Sequence, residues 1–250
     1  MGLADLHTHT SLSDGMMDVG ALLAHVEEQG MLDVIAITDH DDITAAFMAR
    51  ELTAKHGYRA QVVIGEEITT RSGHLLGLFL EHQVPRLQSL EATLQAIHEQ
   101  GGLAVIPHPM SWLTFSVGQS AMVRVTSSQE EGVYFDGLEV ANPSMAAKVT
   151  RARVQQFNTE WLHLAELGST DAHFLPVLGS AFTHFEGSTT EELRRAILER
   201  STQGEARDVT LSQIGYGAIV RQQVRSLVVA PTRALSQPIR SFLKGEQSKE

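Results

Sequence analysis

The stretch Asp33-Val34-Ile35-Ala36-Ile37-Thr38-Asp39-His40 decides the fold. Four consecutive apolar residues bounded by polar ones read as a strand buried on both faces, the kind found in a parallel sheet covered by helices. The strand ends in an acid and a histidine, so its chemistry lies at its C-terminal end. Working outward, the pattern recurs. Leu3 to His7, Gln61 to Ile64, His74 to Leu80, Leu103 to Ile106 and Asp136 to Val140 read as further strands. Helical period separates them over Val19 to Gln29, Ile43 to His56, Leu87 to Gln100 and Ala146 to Leu167. Asp18 is the expected N-cap of the first helix, and Gly30 its stop. Strand alternating with helix predicts an α/β fold of about seven strand-plus-helix units, an irregular (β/α)7 TIM-like barrel.

Several of these strands end in groups that bind metal. His7-Thr8-His9 follows the first, with Ser13-Asp14-Gly15 close behind; residues two apart on an extended segment share a face, so both histidines can grip one ion. His40 follows the second strand, Glu66-Glu67 the third, and Pro107-His108-Pro109 the fifth. Gly73-His74 opens the fourth, and Thr170-Asp171-Ala172-His173 closes the set. Imidazole nitrogen and carboxylate oxygen are what divalent transition metals take. Barrel enzymes build their sites at the C-terminal ends of strands, so the metal site is expected there.

The composition narrows the function classes. The chain has 250 residues and no cysteine, which excludes disulfides and thiolate metal sites. Its formal charge of −11, from 19 Lys and Arg against 30 Asp and Glu, argues against a surface that coats nucleic acid. No apolar run approaches a membrane span. The first strand begins beside Met1, so no leader segment is expected and a cytoplasmic location is. Leu6 stands where an N-myristoylation pattern needs Ser or Thr.

The ordered set His-x-His, Ser-Asp-Gly, Thr-Asp-His, Glu-Glu-Ile with Gly-His, Pro-His-Pro and Thr-Asp-Ala-His resembles the PHP (polymerase and histidinol phosphatase) family of metal-dependent phosphoesterases, over roughly residues 3 to 200. The resemblance implies the barrel and nine metal ligands: His7, His9, Asp14, His40, Glu67, His74, His108, Asp171 and His173. It implies a first cation on His7, His9, Glu67 and Asp171, a second on Glu67, His74 and His108, and a third on Asp14, His40 and His173. Glu67 is chosen over Glu66 because the family's glutamate precedes an apolar residue and a Ser or Thr, here Ile68-Thr69; an in-strand neighbour faces the other way. Some members carry an inserted domain before the His-Pro segment, and the stretch from His74 to His108 is too short for it.

Two or three divalent ions, Mn, Fe or Zn, suit this donor set. The activity implied is hydrolysis of phosphate esters, since a divalent cation lowers the pKa of bound water toward 7 and supplies hydroxide. Small phosphorylated compounds, short nucleotides or short oligonucleotides are the expected substrates, because no basic, aromatic-interleaved stretch tracks a long polymer. Arg71, Arg124, Lys148 and Arg151 are candidate phosphate clamps. His184 is a candidate substrate-side group, and Trp112 and Phe115 stack a base or fill a loop. Of the remaining histidines, the four in helical segments or at helix ends, His25, His56, His98 and His163, read as non-ligands. The rival readings are a metal-dependent hydrolase of C–N or lactone bonds and a non-catalytic binding module stabilised by metal.

Two stretches fall outside the alternation. Trp112 to Glu131 lacks a clear period and reads as a long loop, either covering the substrate or plain surface. Gly204 to Glu250 is richer in basic than acidic residues. Its Leu211, Ile214, Ile219, Val220, Val224 and Leu227 predict an amphipathic helix with Arg221 and Arg225 on the polar side. The expected division is a phosphoesterase domain over 1–203 and a helical extension over 204–250 packed on the barrel, with fraying from about Gly245 onward.

Overall fold

The computed structural model describes residues 1–208 and 215–226. In chain order these hold β1 (Gly2–Asp5), α1 (Val19–Gln29), β2 (Val34–Ile37), α2 (Thr44–His56), β3 (Gln61–Thr70), β4 (Gly73–Leu78), α3 (Leu90–Glu99), β5 (Leu103–Ile106), α4 (Gln119–Thr126), β6 (Gly137–Ala141), α5 (Met145–Phe157), β7 (Ala165–Gly168), β8 (Ala181–Phe185), α6 (Thr190–Leu198), β9 (Gln203–Ala206) and α7 (Tyr216–Val224). The strands form one sheet in the order β7-β6-β5-β4-β3-β2-β1-β8-β9. The sheet curls until its edges almost meet, giving a nearly closed α/β barrel. At the seam the Thr183 hydroxyl of β8 donates to Gly168 O (2.9 Å) and accepts from Gly168 N (3.1 Å). Any side chain on Gly168 would strike the Phe182 carbonyl at 2.3 Å, so glycine permits this approach.

Alternation within the strands sorts the core into two layers. Ala4, Val34, Ala36, Val63, Leu76, Leu78, Leu103, Val105, Ala165 and Leu167 point inward and fill the barrel. Ile35, Ile37, Ile64, Leu75, Ala104 and Ile106 point outward against the helices. Leu193, Ala196 and Ile197 of α6 join the inner layer. The α6 helix crosses the end of the barrel away from the site, where Gln61 Oε1 accepts from Thr190 N (2.8 Å) and Arg194 donates to Gly101 O (2.7 Å). A capping box between Thr189 and Glu192 starts it.

The sheet is mixed rather than parallel throughout. β3 and β4 form a hairpin around Arg71-Ser72, and β4/β5, β1/β8 and β8/β9 are also antiparallel. The turn at Gly73 (φ 130°) returns the chain directly, with no room for a helix. Two expectations change. Trp112 to Glu131 is not all loop: α4 lies within it and buries Met122 and Val125, one turn apart. The helix expected over Ala146 to Leu167 ends in a single π turn (Asn158–Leu162) and gives way to β7. Asn158 stops it by accepting from Leu164 N (2.9 Å) and donating to Leu164 O (3.1 Å). Leu164 and Leu167, three apart, keep the helical period although they face opposite sides of the sheet, which hid the change.

The boundary expected at 203/204 falls within β9. Of the extension, α7 is described, whereas Leu211, Ile214, Leu227 and the stretch beyond Gly245 lie outside the described residues. Among the described residues, no helix is long and apolar enough to cross a membrane.

Candidate metal centre

Glu67 organises the site. Val63, Gly65 and Glu67 share the inward face of β3, so the carboxylate enters the barrel mouth while Glu66 turns outward. Five imidazoles surround it. Its Oε2 lies 3.2 Å from His7 Nε2, 3.2 Å from His9 Nε2 and 3.3 Å from His40 Nδ1. Its Oε1 lies 2.9 Å from His74 Nδ1 and 3.1 Å from His108 Nε2. Asp171 Oδ1 stands 3.1 Å from His9 Nε2 and 3.4 Å from His7 Nε2. Asp14 Oδ2 stands 3.1 Å from His173 Nε2 and 3.9 Å from His40 Nε2.

All nine residues singled out by the resemblance converge here, from segments as distant in sequence as β1 and the chain after β7. The donor atoms fall into three groups of metal-binding size: His7, His9, Glu67, Asp171; His9, Asp14, His40, His173; and His40, Glu67, His74. The first agrees with the implied first cation. In the others, His9 and His40 each serve two groups, and His108 meets Glu67 from the side. His74 departs from the strand-end rule: β4 runs antiparallel, so its beginning lies at the mouth.

The tautomers follow from the outer contacts. His7 Nδ1 donates to Glu139 Oε1 (2.8 Å), and His173 Nδ1 to the Asp171 carbonyl (2.9 Å). With the ring neutral, each leaves an Nε2 lone pair facing the cluster. His108 Nδ1 bonds Ser116 Oγ (2.8 Å) and Thr114 Oγ1 (3.1 Å). Among the described residues His9 Nδ1 is buried with no hydrogen-bond partner, a condition that a cation relieves, while the buried His74 Nδ1 faces only the Glu67 carboxylate. Nitrogen and oxygen donors alone, an orphaned imidazole nitrogen and a carboxylate between five rings fit a multinuclear centre of divalent ions.

The field points the same way. Burial pulls His9 down, but Asp171 and Glu67 outweigh it and hold the ring up at about 10. His7 is raised against burial by Asp171, Glu67 and Glu139. Burial raises Glu67, but the surrounding rings, His40 and His74 foremost, carry it well below the usual carboxylate range. Asp14 and Asp171 are likewise depressed by neighbouring histidines despite burial. His40 is the exception: burial, with His9 and His74 nearby, lowers it to about 4 despite Glu67.

Three buried carboxylates absent from the expected set hold the ligand-bearing segments. Glu139, on the inward face of β6, accepts from His7 Nδ1 and from His108 N (2.7 Å). Asp39 accepts from Thr10 N (2.6 Å), Thr10 Oγ1 and Ser13 Oγ (2.5 Å), fixing the loop from His9 to Asp14. Asp5 accepts from Thr170 N (3.0 Å), Thr170 Oγ1 (2.6 Å) and Gly179 N (3.2 Å), tying β1 to the segment that carries Asp171. Burial raises Asp5 to about 6. The signal for Glu139 was a lone charge inside the apolar strand Gly137–Ala141.

The substrate-side candidates separate. Lys148 lies beside Asp171 and His173 at a cleft, and Arg151 lines a small void next to His108 and Glu139. Arg71 donates to Leu87 O (2.8 Å), Arg124 pairs with Glu91 (2.8 Å) and His184 with Glu205 (3.0 Å), all outside the cluster. Phe115 packs edge-on to His74, with centroids 5.5 Å apart, while Trp112 is exposed.

An uncharacterized protein of Methanocaldococcus jannaschii is 35% identical over 150 residues, covering 56% of this chain and 81% of that protein. The 5'-3' exoribonuclease Rnm of Salmonella typhimurium is 33% identical over 92 residues, 35% of this chain and 31% of the enzyme. Among solved structures, a two-domain Bacteroides vulgatus protein containing a predicted PHP-like metal-dependent phosphoesterase superposes with a TM-score of 0.64 at 19% identity, over 89% of this chain and 69% of that one; this shows a shared fold. The PHP domain profile matches residues 5–199, from the end of β1 to the end of α6, and that span takes in every residue of the cluster; the chain belongs to the PHP domain family.

Proposed function

We propose that this protein hydrolyses phosphate esters at a centre of two or three divalent metal ions, acting on small phosphoesters, short nucleotides or short oligonucleotides. The observation that carries the reading is the Glu67 carboxylate flanked by five imidazoles. When bound, the cations supply Lewis acidity that lowers the pKa of coordinated water and offsets phosphate charge. His7, His9, Glu67 and Asp171 would hold one ion, Glu67 with His74 and His108 another, and Asp14, His40 and His173 a third. Glu139 keeps the His7 lone pair aimed inward, and Ser116 and Thr114 orient His108. Lys148, which lines the cleft with Asp171 and His173, would meet a phosphate oxygen at the mouth.

Family membership supports phosphoester chemistry, and the exoribonuclease relative supports nucleotides. The test is kcat/KM for a mononucleotide, a short single strand and a long duplex at fixed salt in Mn²⁺, beside amide and lactone substrates. The mononucleotide and short strand are expected to lead. Preference for the duplex would overturn the substrate class, and turnover of carbonyl substrates alone would overturn the reaction.

A further inference from the structure

A cleft of about 360 Å³ opens beside the cluster, between the start of α5, the segment after β7 and α7. We propose that it is the leaving-group pocket and that it takes a nucleoside, with α7 as a substrate-contacting element. The proposal rests on the phosphoester reading above.

Position supports it first. Asp171 and His173 form one wall, so a group esterified to a phosphate at the cluster extends into the cleft. Its size falls at the lower end of small-molecule pockets, roughly 300–1,000 Å³. The lining chemistry suits a flat heteroaromatic ring with a polar edge. Met145, Phe174 and Ile219 supply apolar surface for the ring face. Gln223 Nε2 donates to Gln222 Oε1 (2.9 Å). That bond leaves the Gln222 amide nitrogen and the Gln223 amide oxygen unpartnered among the described residues, one donor beside one acceptor. A nucleobase edge presents the complementary pair; a bare sugar presents no ring face for Met145 and Phe174.

Lys148 pairs at 2.6 Å with Asp208, which is 93% exposed. A pair so open to water holds its partners weakly. The ammonium is therefore available to a ribose or phosphate oxygen. The α7 helix is also tied to the centre itself. The Arg225 guanidinium, just past its end, donates to the carbonyls of Ser13 (3.0 Å) and Ser11, in the loop that carries Asp14. The wall bearing Gln222 and Gln223 is thus fixed relative to the metal ligands. In the reaction a water oxygen bonds to phosphorus and the P–O5′ bond breaks. The departing oxygen takes up a proton released by that water, giving a nucleoside and inorganic phosphate.

Two measurements test the pocket. With ¹³C-methyl methionine labelling, the Met145 resonance is expected to shift with ribonucleoside 5′-monophosphates and to stay with ribose 5-phosphate. Equal shifts, or none, would overturn the proposal without reference to turnover. In Q222L/Q223L, kcat/KM for the mononucleotide relative to 4-nitrophenyl phosphate is expected to fall at least tenfold, chiefly through KM. An unchanged ratio would also overturn it. Wild-type protein that cleaves 4-nitrophenyl phosphate with no preference for nucleotides sinks the pocket alone; wild-type protein that cleaves neither sinks the phosphoester reading.

Discussion

At the residue scale, adjacent glutamates have opposite fates because a strand alternates its faces. Glu67→Ala removes the carboxylate between five imidazoles and is expected to abolish turnover and bound metal. Glu66 points outward, where burial raises it to about 8 and its Oε2 accepts from Val84 N at 2.9 Å. Glu66→Ala should cost about 1–3 kcal/mol of stability while leaving metal content nearly intact. Elemental analysis beside urea unfolding separates the two, and equal metal loss in both would refute the assignment. Glu139→Ala frees His7 Nδ1 and His108 N and is expected to weaken metal binding roughly 10–100-fold; competition with a fluorescent chelator measures it. The cluster histidines were legible because each sits in a short run of distinctive chemistry. Glu139 was not, since a single acid in a strand carries no motif, and its meaning appears only when β6 lies between β5 and β7. Asp5 and Asp39 lay within the quoted runs, but their role needed the loops that they bind.

At the element scale, His98 links α3 to the start of β6. Nδ1 donates to Gly132 O (2.7 Å), Nε2 to Asp136 Oδ2 (3.0 Å), and the ring stacks on Tyr134 with centroids 4.0 Å apart. Burial lowers this histidine, but the Asp136 bond and the Gly132 carbonyl raise it above its ordinary value of 6.5. Its protonated form therefore favours the folded state. That contribution is complete below the unfolded pKa and is lost as pH rises through the folded one. His98→Ala should destabilise by about 1–3 kcal/mol at pH 5.5 and by less at pH 9; urea midpoints at the two values check the sign. The helices α1, α2 and α3 and the all-apolar strands were readable from sequence, α1 and β5 to the residue, whereas α6 was not expected despite its capping box. The elements that escaped have physical reasons. α4 is short and buries only two side chains, β7 continues a helical period, and β8 and β9 are antiparallel strands beyond the last ligand segment.

At the scale of the whole molecule, acidic and imidazole groups are packed at one end of a barrel whose walls are otherwise apolar. Metal should therefore act as a folding ligand: an ion at 100 times its Kd adds about 2.7 kcal/mol. Purified protein is expected to carry about two or three equivalents, one for each ligand group that is filled. Chelation should lower the calorimetric Tm, and Mn²⁺ should restore it. Less than one equivalent after loading, with no change in Tm, would sink the metal reading. The α6 helix has a kinetic meaning as well. Its Leu193 and Ile197 complete the layer of side chains that fills the barrel, so nothing reaches the centre from the far end. Arriving ester and departing phosphate then share a single doorway, and the slower of them sets the queue. Inorganic phosphate should accordingly compete with substrate, raising the apparent KM while leaving kcat unchanged.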